Sequence, residues 1–206
     1  MKRFTTAFVI LVLASACGHY PPIVESARDF EKLSLDEESI RARGLADEDI
    51  HALERMKNLQ HLDFTGGWAV KEAKITDDGV KVLASLNLPL LTSIHIGYNE
   101  RVGDRAVGYL AGMQPLTMLA LFDCPNVTDA ALVDLSKRGS VVYLLLNGCS
   151  GVTDEGVLQL VNLRGLESLS LDGCQNVTAE TVTTLRRMMP SVGINKNDDA
   201  WKRNGR

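Results

Sequence analysis

Three cysteines recur at a fixed interval, and that interval restricts the fold more than any other feature of the chain. Cys124, Cys149 and Cys174 lie 25 residues apart. Each follows a Leu-x-Leu pair: Leu119 and Leu121, Leu144 and Leu146, Leu169 and Leu171. Each precedes a Val-Thr pair: Val127-Thr128, Val152-Thr153, Val177-Thr178. Asp129 and Asp154 complete a Val-Thr-Asp triplet, while Ala179 takes the aspartate's place in the last copy. A constant period of roughly 20–50 residues marks a chain built from stacked copies of one unit.

Weaker copies lie upstream. Leu91, Ile94, Ile96 and Val102-Gly103-Asp104 match position for position, with Asn99 where the cysteine stood. Leu59, Leu62, Phe64 and Ile75-Thr76-Asp77 match again, after five extra residues between Gly67 and Ile75. A partial copy, Leu45-Ala46-Asp47 with Ile50 and Leu53, precedes these, and Val192-Gly193-Ile194 reads as one last strand. The pattern predicts five full repeats between truncated ends.

Within a unit, the first half alternates apolar and polar residues, as strands do. The second half spaces its apolar residues for a short helix, as in Val152, Val157 and Leu160. Thr-Asp in front is an N-cap signal, worth about 1 kcal/mol through side-chain oxygens that accept from orphan N–H groups. One unit cannot bury both its strand and its helix, but a stack of them can. Aromatic residues make up only 5% of the chain, so aliphatic side chains must fill that core. In such a stack the cysteines read as a ladder of small buried residues at the strand-to-helix bend. A disulfide suits parallel side chains poorly, and zinc would want a Cys-x-x-Cys pair or a nearby histidine.

The motif Leu-x-x-Leu-x-Leu-x-x-Cys-x-x-Val-Thr-Asp resembles the cysteine-containing subtype of leucine-rich repeats, known from F-box-type adaptors, over roughly residues 45–196. The resemblance implies an α/β solenoid: a short horseshoe with a parallel concave sheet and short helices on the convex side. It also implies work by binding. An adaptor role in a ubiquitin-type system follows by resemblance alone, and the chain has no room for a typical F-box segment.

The N-terminus reads as an export signal. Lys2 and Arg3 precede the apolar run Phe8–Leu13 and the small residues Ala14-Ser15-Ala16. Leu13-Ala14-Ser15-Ala16-Cys17 resembles a bacterial lipobox, with Ala14 where leucine is commoner, and would make Cys17 the lipidated first residue. An ordinary secretory signal ending at Ala14-Ser15-Ala16 is the alternative. The expected organisation is then a signal peptide over 1–16, a tether over 17–28, a cap with the partial repeat over 29–58, repeats with a terminal strand over 59–196, and a polar tail over 197–206. The expected location is the cell envelope, on a lipid anchor. A formal net charge of −4 argues against nucleic acid as a partner.

Motifs for catalysis or phosphate binding are absent from the sequence: there is no Gly-x-x-x-x-Gly-Lys-Ser/Thr, Gly-x-Ser-x-Gly or His-Glu-x-x-His. By repeat position, Asp63 and His95 are neighbours across two strands, and His61 shares their face. The set could hold a metal or move a proton, but no nucleophile is expected beside it, so a polar cross-strand network is the better reading. No cofactor is implied.

Side chains that point away from the core should line the concave face. Met118, Phe122, Tyr143 and Leu145 should form an exposed apolar patch at its centre, with Asn147, His95 and Asp63 on the polar rim. Such a patch suits an interface. Trp68, in the inserted loop, either folds back to plug the wider first repeats or serves as a second anchor at the rim. The expected partner is a protein of unknown identity, and the same patch leaves homodimerisation open. The competing reading is a structural envelope protein without a single tight ligand.

Overall fold

Among the described residues, strands and helices alternate, and each strand pairs only with its neighbours in sequence. The computed structural model describes residues 21–65 and 74–197. Eight strands form one parallel sheet in chain order: β1 (Ile23–Val24), β2 (Ser39–Ala42), β3 (His61–Thr65), β4 (Ser93–Gly97), β5 (Met118–Phe122), β6 (Tyr143–Leu145), β7 (Ser168–Ser170) and β8 (Gly193–Asn195). Five α-helices follow the later strands: α1 (Asp77–Ser85), α2 (Asp104–Ala111), α3 (Asp129–Arg138), α4 (Asp154–Gln159) and α5 (Ala179–Met188). In the first units 3-10 helices, Ala27–Lys32 and Asp47–Arg55, take the place of α-helices. This is the stack of like units that the spacing predicts, with the solenoid architecture that the resemblance to leucine-rich repeats implies.

The sheet extends further towards the N-terminus than expected. Ile23–Val24 pairs with β2 inside the stretch read as a tether (17–28), and Ser39–Ala42 pairs with β3 inside the stretch read as a cap (29–58). These strands were hard to see because β2 turns only Ile40 and Ala42 inward and carries no Leu-x-Leu pair.

The register puts equivalent residues side by side. Leu62, Ile94, Leu119, Leu144 and Leu169 pair in sequence across the sheet and are all buried. They share one core with Val80 and Leu83 of α1, Val107 and Leu110 of α2, Leu132 and Leu135 of α3, Val157 of α4 and Leu185 of α5. Each such aliphatic side chain contributes about 1.5–3 kcal/mol when fully buried.

Two ladders of side chains tie the units together. The cysteine ladder is present as read: Cys124, Cys149 and Cys174 are buried thiols that form no disulfide with one another. Each donates to a carbonyl of the preceding unit, on Ile96 (3.9 Å), Leu121 (3.7 Å) and Leu146 (2.8 Å). Asn99 does the same to the Ile75 carbonyl at 2.9 Å. Burial pushes the Cys124 thiol up to about 11 and raises the Cys149 thiol as well. Neutral thiols are poor nucleophiles and poor metal ligands.

The second ladder runs through the helix N-termini. Thr76, Thr128 and Thr153 cap α1, α3 and α4, accepting from Asp78, Ala130 and Glu155 N–H groups, and Thr178 caps α5. The aspartate one residue beyond each cap position then reaches forward to the next unit. Asp104 accepts from the Thr128 N–H and hydroxyl, both at 2.7 Å. Asp129 holds Thr153 at 2.8 and 2.6 Å, and Asp154 holds Thr178 at 2.7 and 3.0 Å. Asp47 holds Thr76 at 2.8 and 2.6 Å. Asp77 makes a single bond, to the Gly103 N–H at 2.8 Å, because glycine offers no hydroxyl. Gly79 and Gly156 leave room for these clasps: a Cβ on either would collide with the carboxylate of Asp47 or Asp129. The departure at Ala179 now has a reason. The Val-Thr pattern does not continue past β8, so an aspartate there would have no threonine to hold.

Candidate binding face

The strands turn one set of side chains to the helices and the other to the concave side. Across the centre of that side, Met118 pairs with Ser93 and with Tyr143, Ala120 with His95 and with Leu145, and Phe122 with Gly97. The expected patch is therefore assembled, but it is not exposed as expected. Phe122 and Leu145 retain only 8% and 6% of their accessible surface, and with Ala120 they form a cluster separate from the main core. The Phe122 ring packs edge-on to His95, with centroids 6.4 Å apart. A Cβ at Gly97 would stand 3.3 Å from the Phe122 Cβ. Tyr143 stays 39% exposed and donates to Glu167 Oε2 at 3.2 Å, and Met118 is half-buried. Asn147, assigned to the rim, is buried instead, and its Oδ1 has no hydrogen-bond partner.

On one flank lies the polar set. Asp63 and His95 are cross-strand partners, as their repeat positions predict. The expectation that no nucleophile stands beside them is corrected: Ser93 Oγ lies 3.2 Å from His95 Nε2. The same nitrogen is 3.4 Å from the Met118 sulfur, and the Asp63 carboxylate accepts from the Thr65 N–H at 2.7 Å. Ser93 is only 3% exposed, so a substrate carbonyl has no approach to its oxygen. Burial lowers the His95 pKa; Asp63 opposes this and His61 adds to it. Burial also lowers that of His61, against Glu38. Both rings are thus neutral near pH 7, which fits a cross-strand polar network. Among the described residues, no group of three His, Cys, Asp or Glu side chains is placed to hold a metal ion.

Sequence reasoning missed one part of the face. Arg41 and Arg43 belong to β2 and its exit, and the Arg41 guanidinium binds the Pro21 carbonyl at 3.0 and 2.8 Å. The alternation Ser39-Ile40-Arg41-Ala42-Arg43 was the available signal. At the opposite flank Asp172 accepts from the Asn195 amide (3.1 and 2.9 Å) and from the Asn197 N–H.

The upper rim is where the strands exit. Gly44, Tyr98, Asp123, Gly148 and Gly173 hold equivalent places in their units, and all have positive φ. Tyr98 (φ 55°) and Asp123 (φ 47°) do so with a Cβ, which costs about 1–2 kcal/mol each. Asp123 directly follows Phe122, the Tyr98 N–H donates to the Phe122 carbonyl at 2.7 Å, and Tyr98 is exposed. Trp68 and Cys17 lie outside the described residues. No described helix is long and apolar enough to cross a membrane.

No protein-family model matches the chain, and no curated protein matches it. Solved structures do. A chain of the yeast Rad7–Elc1 complex superposes with a TM-score of 0.58 at 17% identity, over 86% of this chain and 48% of that one. An internalin (inlF) from Listeria monocytogenes gives a TM-score of 0.46 at 18% identity, over 77% and 49% of the two chains. This chain thus spans about half the length of either. At such identity the first likeness establishes the fold.

Proposed function

We propose that this chain is an exported, lipid-anchored module that binds a protein partner on its concave face. The observation that carries the reading is a sheet with helices on one side only and an apolar centre on the other. Tyr143 and the half-buried Met118 share that face with the buried cluster of Ala120, Phe122 and Leu145. His95 and Asp63 lie to one side, Asn147 and Asp172 to the other. An apolar centre with polar flanks is the usual anatomy of an interface. A chain of similar fold occurs in a complex, that of Rad7 with Elc1, and the same use is proposed here. The anchor rests on the signal-like run Phe8–Leu13 and on Cys17. Nothing in the face suggests catalysis, since the Ser93 hydroxyl is buried.

The test is a crosslinking pull-down from the native membrane fraction, comparing the wild type with a Tyr143→Asp, Met118→Asp variant. Both positions have enough exposure to accept a charge without unfolding the chain, which Phe122 and Leu145 do not. A protein captured by the wild type and lost by the variant supports the reading and identifies the partner. Capture of a second copy would make the partner the chain itself. Equal capture by both sinks the concave-face reading and leaves a structural envelope role. Cys17→Ser should move the protein into the soluble fraction; retention on the membrane counts against the anchor.

A further inference from the structure

The concave side carries a charged group that its neighbours leave unanswered. In β2, Ile40 and Ala42 turn to the core, so Ser39, Arg41 and then Arg43 turn the other way. Arg41 is satisfied by the Pro21 carbonyl. Arg43 is not: its Nε is buried without a hydrogen-bond partner among the described residues. Asp63, across from Arg41, accepts from the Thr65 N–H and forms no ion pair with either arginine among the described residues. Buried donors are normally paired, and an unpaired one on a charged group is the costlier kind.

Register relates this arginine to the apolar cluster. Arg43, Gly97 and Phe122 each precede a residue of positive φ, at Gly44, Tyr98 and Asp123, and so hold the same place in their units. Thr65 is the cross-strand partner of Gly97. From β2 to β5 the row therefore runs Arg43, Thr65, Gly97, Phe122. Only a threonine and a glycine stand between the guanidinium and the ring. The two ends of the row are three strand spacings apart, about 14 Å, which an extended chain covers in about four residues.

We propose that the partner presents an extended segment with an acidic side chain and, about four residues away, a large apolar one, the first bound by Arg43 and the second by the Ala120–Phe122–Leu145 cluster. The inference rests on reading the concave face as a binding surface, and it names the segment that the face fits. The chemistry matches at both ends. A guanidinium fork meets a carboxylate with two parallel bonds. The cluster is apolar and stands apart from the core to which every α-helix contributes, so an apolar side chain laid on it leaves water. Asp63 repels a carboxylate placed over β3, which confines the acid to the β2 end.

The test uses a series of short synthetic peptides, each with one glutamate and one phenylalanine in a serine background, their order and separation varied one residue at a time. The probe is the full chain in detergent. Binding should peak at a separation of about four residues. At that separation, glutamine in place of the peptide's glutamate should weaken binding about tenfold, and alanine in place of its phenylalanine should weaken it too. Arg43→Gln should abolish the preference for glutamate over glutamine and keep the preference for phenylalanine. The peptide substitutions carry the test if Arg43→Gln does not fold. Binding indifferent to the glutamate, a preference that survives Arg43→Gln with circular dichroism unchanged, or no binding by any peptide overturns the proposal. If the membrane pull-down still captures a protein that the Tyr143→Asp, Met118→Asp variant loses, those results remove this inference alone. Capture equal in the wild type, in that variant and in Arg43→Gln removes the concave-face reading and this inference with it.

Discussion

The two halves of the solenoid obey different metrics. From β4 onwards, Ser93, Met118, Tyr143, Ser168 and Gly193 follow one another at a constant step. Upstream, Ser39 and His61 are closer together than that and His61 and Ser93 further apart. The helices differ too. Ile50, Leu53 and Met56 are all fully buried and three residues apart, a spacing that puts them on one side of a 3-10 helix, which has about three residues per turn. In α3 the buried Ala131, Leu132 and Leu135 follow the α-helical spacing. Yet the clasp is the same in both halves: Asp47 holds Thr76 as Asp129 holds Thr153. What the stack requires is one carboxylate per junction, not one length per unit, and loop length costs little.

The largest test of that comparison is Asp129→Ala against Asp47→Ala. Each leaves a threonine N–H and hydroxyl without the carboxylate, so each should cost about 2–3 kcal/mol in urea unfolding. A much smaller loss at Asp47 would show that the irregular half is held by packing instead. Next comes the cysteine ladder. Cys149→Ala removes a buried sulfur and its bond to the Leu121 carbonyl and should cost about 1–2 kcal/mol. All three thiols should resist a thiol-specific reagent until the chain unfolds.

The third test concerns pH, and it belongs to the junction of β3 and β4. His61 and His95 have lowered folded pKa values, so the unfolded chain binds more protons below about pH 6.5. Their contribution to stability is complete above that value and is lost as pH falls from it towards the folded values. Asp63, Glu38 and the second histidine are the charged groups the two rings sense. His95→Gln should flatten this part of the stability profile; an unchanged slope would assign it elsewhere. The smallest effect is expected at the strand exits. Tyr98→Gly and Asp123→Gly should each gain at most about 1 kcal/mol, whereas Gly148→Ala should lose about that much. Opposite signs for these substitutions confirm the strain; equal signs refute it.

Much of this was legible in the sequence, because a repeat samples the same physics several times. Leu119, Leu144 and Leu169 announce three strands in register, and the Thr-Asp pairs announce the helix starts. Two kinds of fact were not legible. β1 and β2 are too short, and too poor in leucine, to show a period. Phe122 is buried in a cluster with Leu145 of the next unit and edge-on to His95 of the preceding one, so no local pattern reports its burial. The Ser93–His95 contact was within reach, since residues two apart on a strand share a face, but serine was not weighed as a neighbour. The forward reach of each aspartate was likewise hidden, because its capping position explained it well enough.

The aspartate clasp also bears on how such a chain can change length. A unit copied from the middle, from Thr128 to Val152, brings its own threonine to be held and its own aspartate to hold the next. Inserted in tandem, it closes both new junctions at once. Copying the last unit does not: Ala179 would fall at an interior junction and leave a threonine unanswered. Growth by recombination is therefore open where the copied unit keeps its aspartate and penalised where Ala179 replaces it.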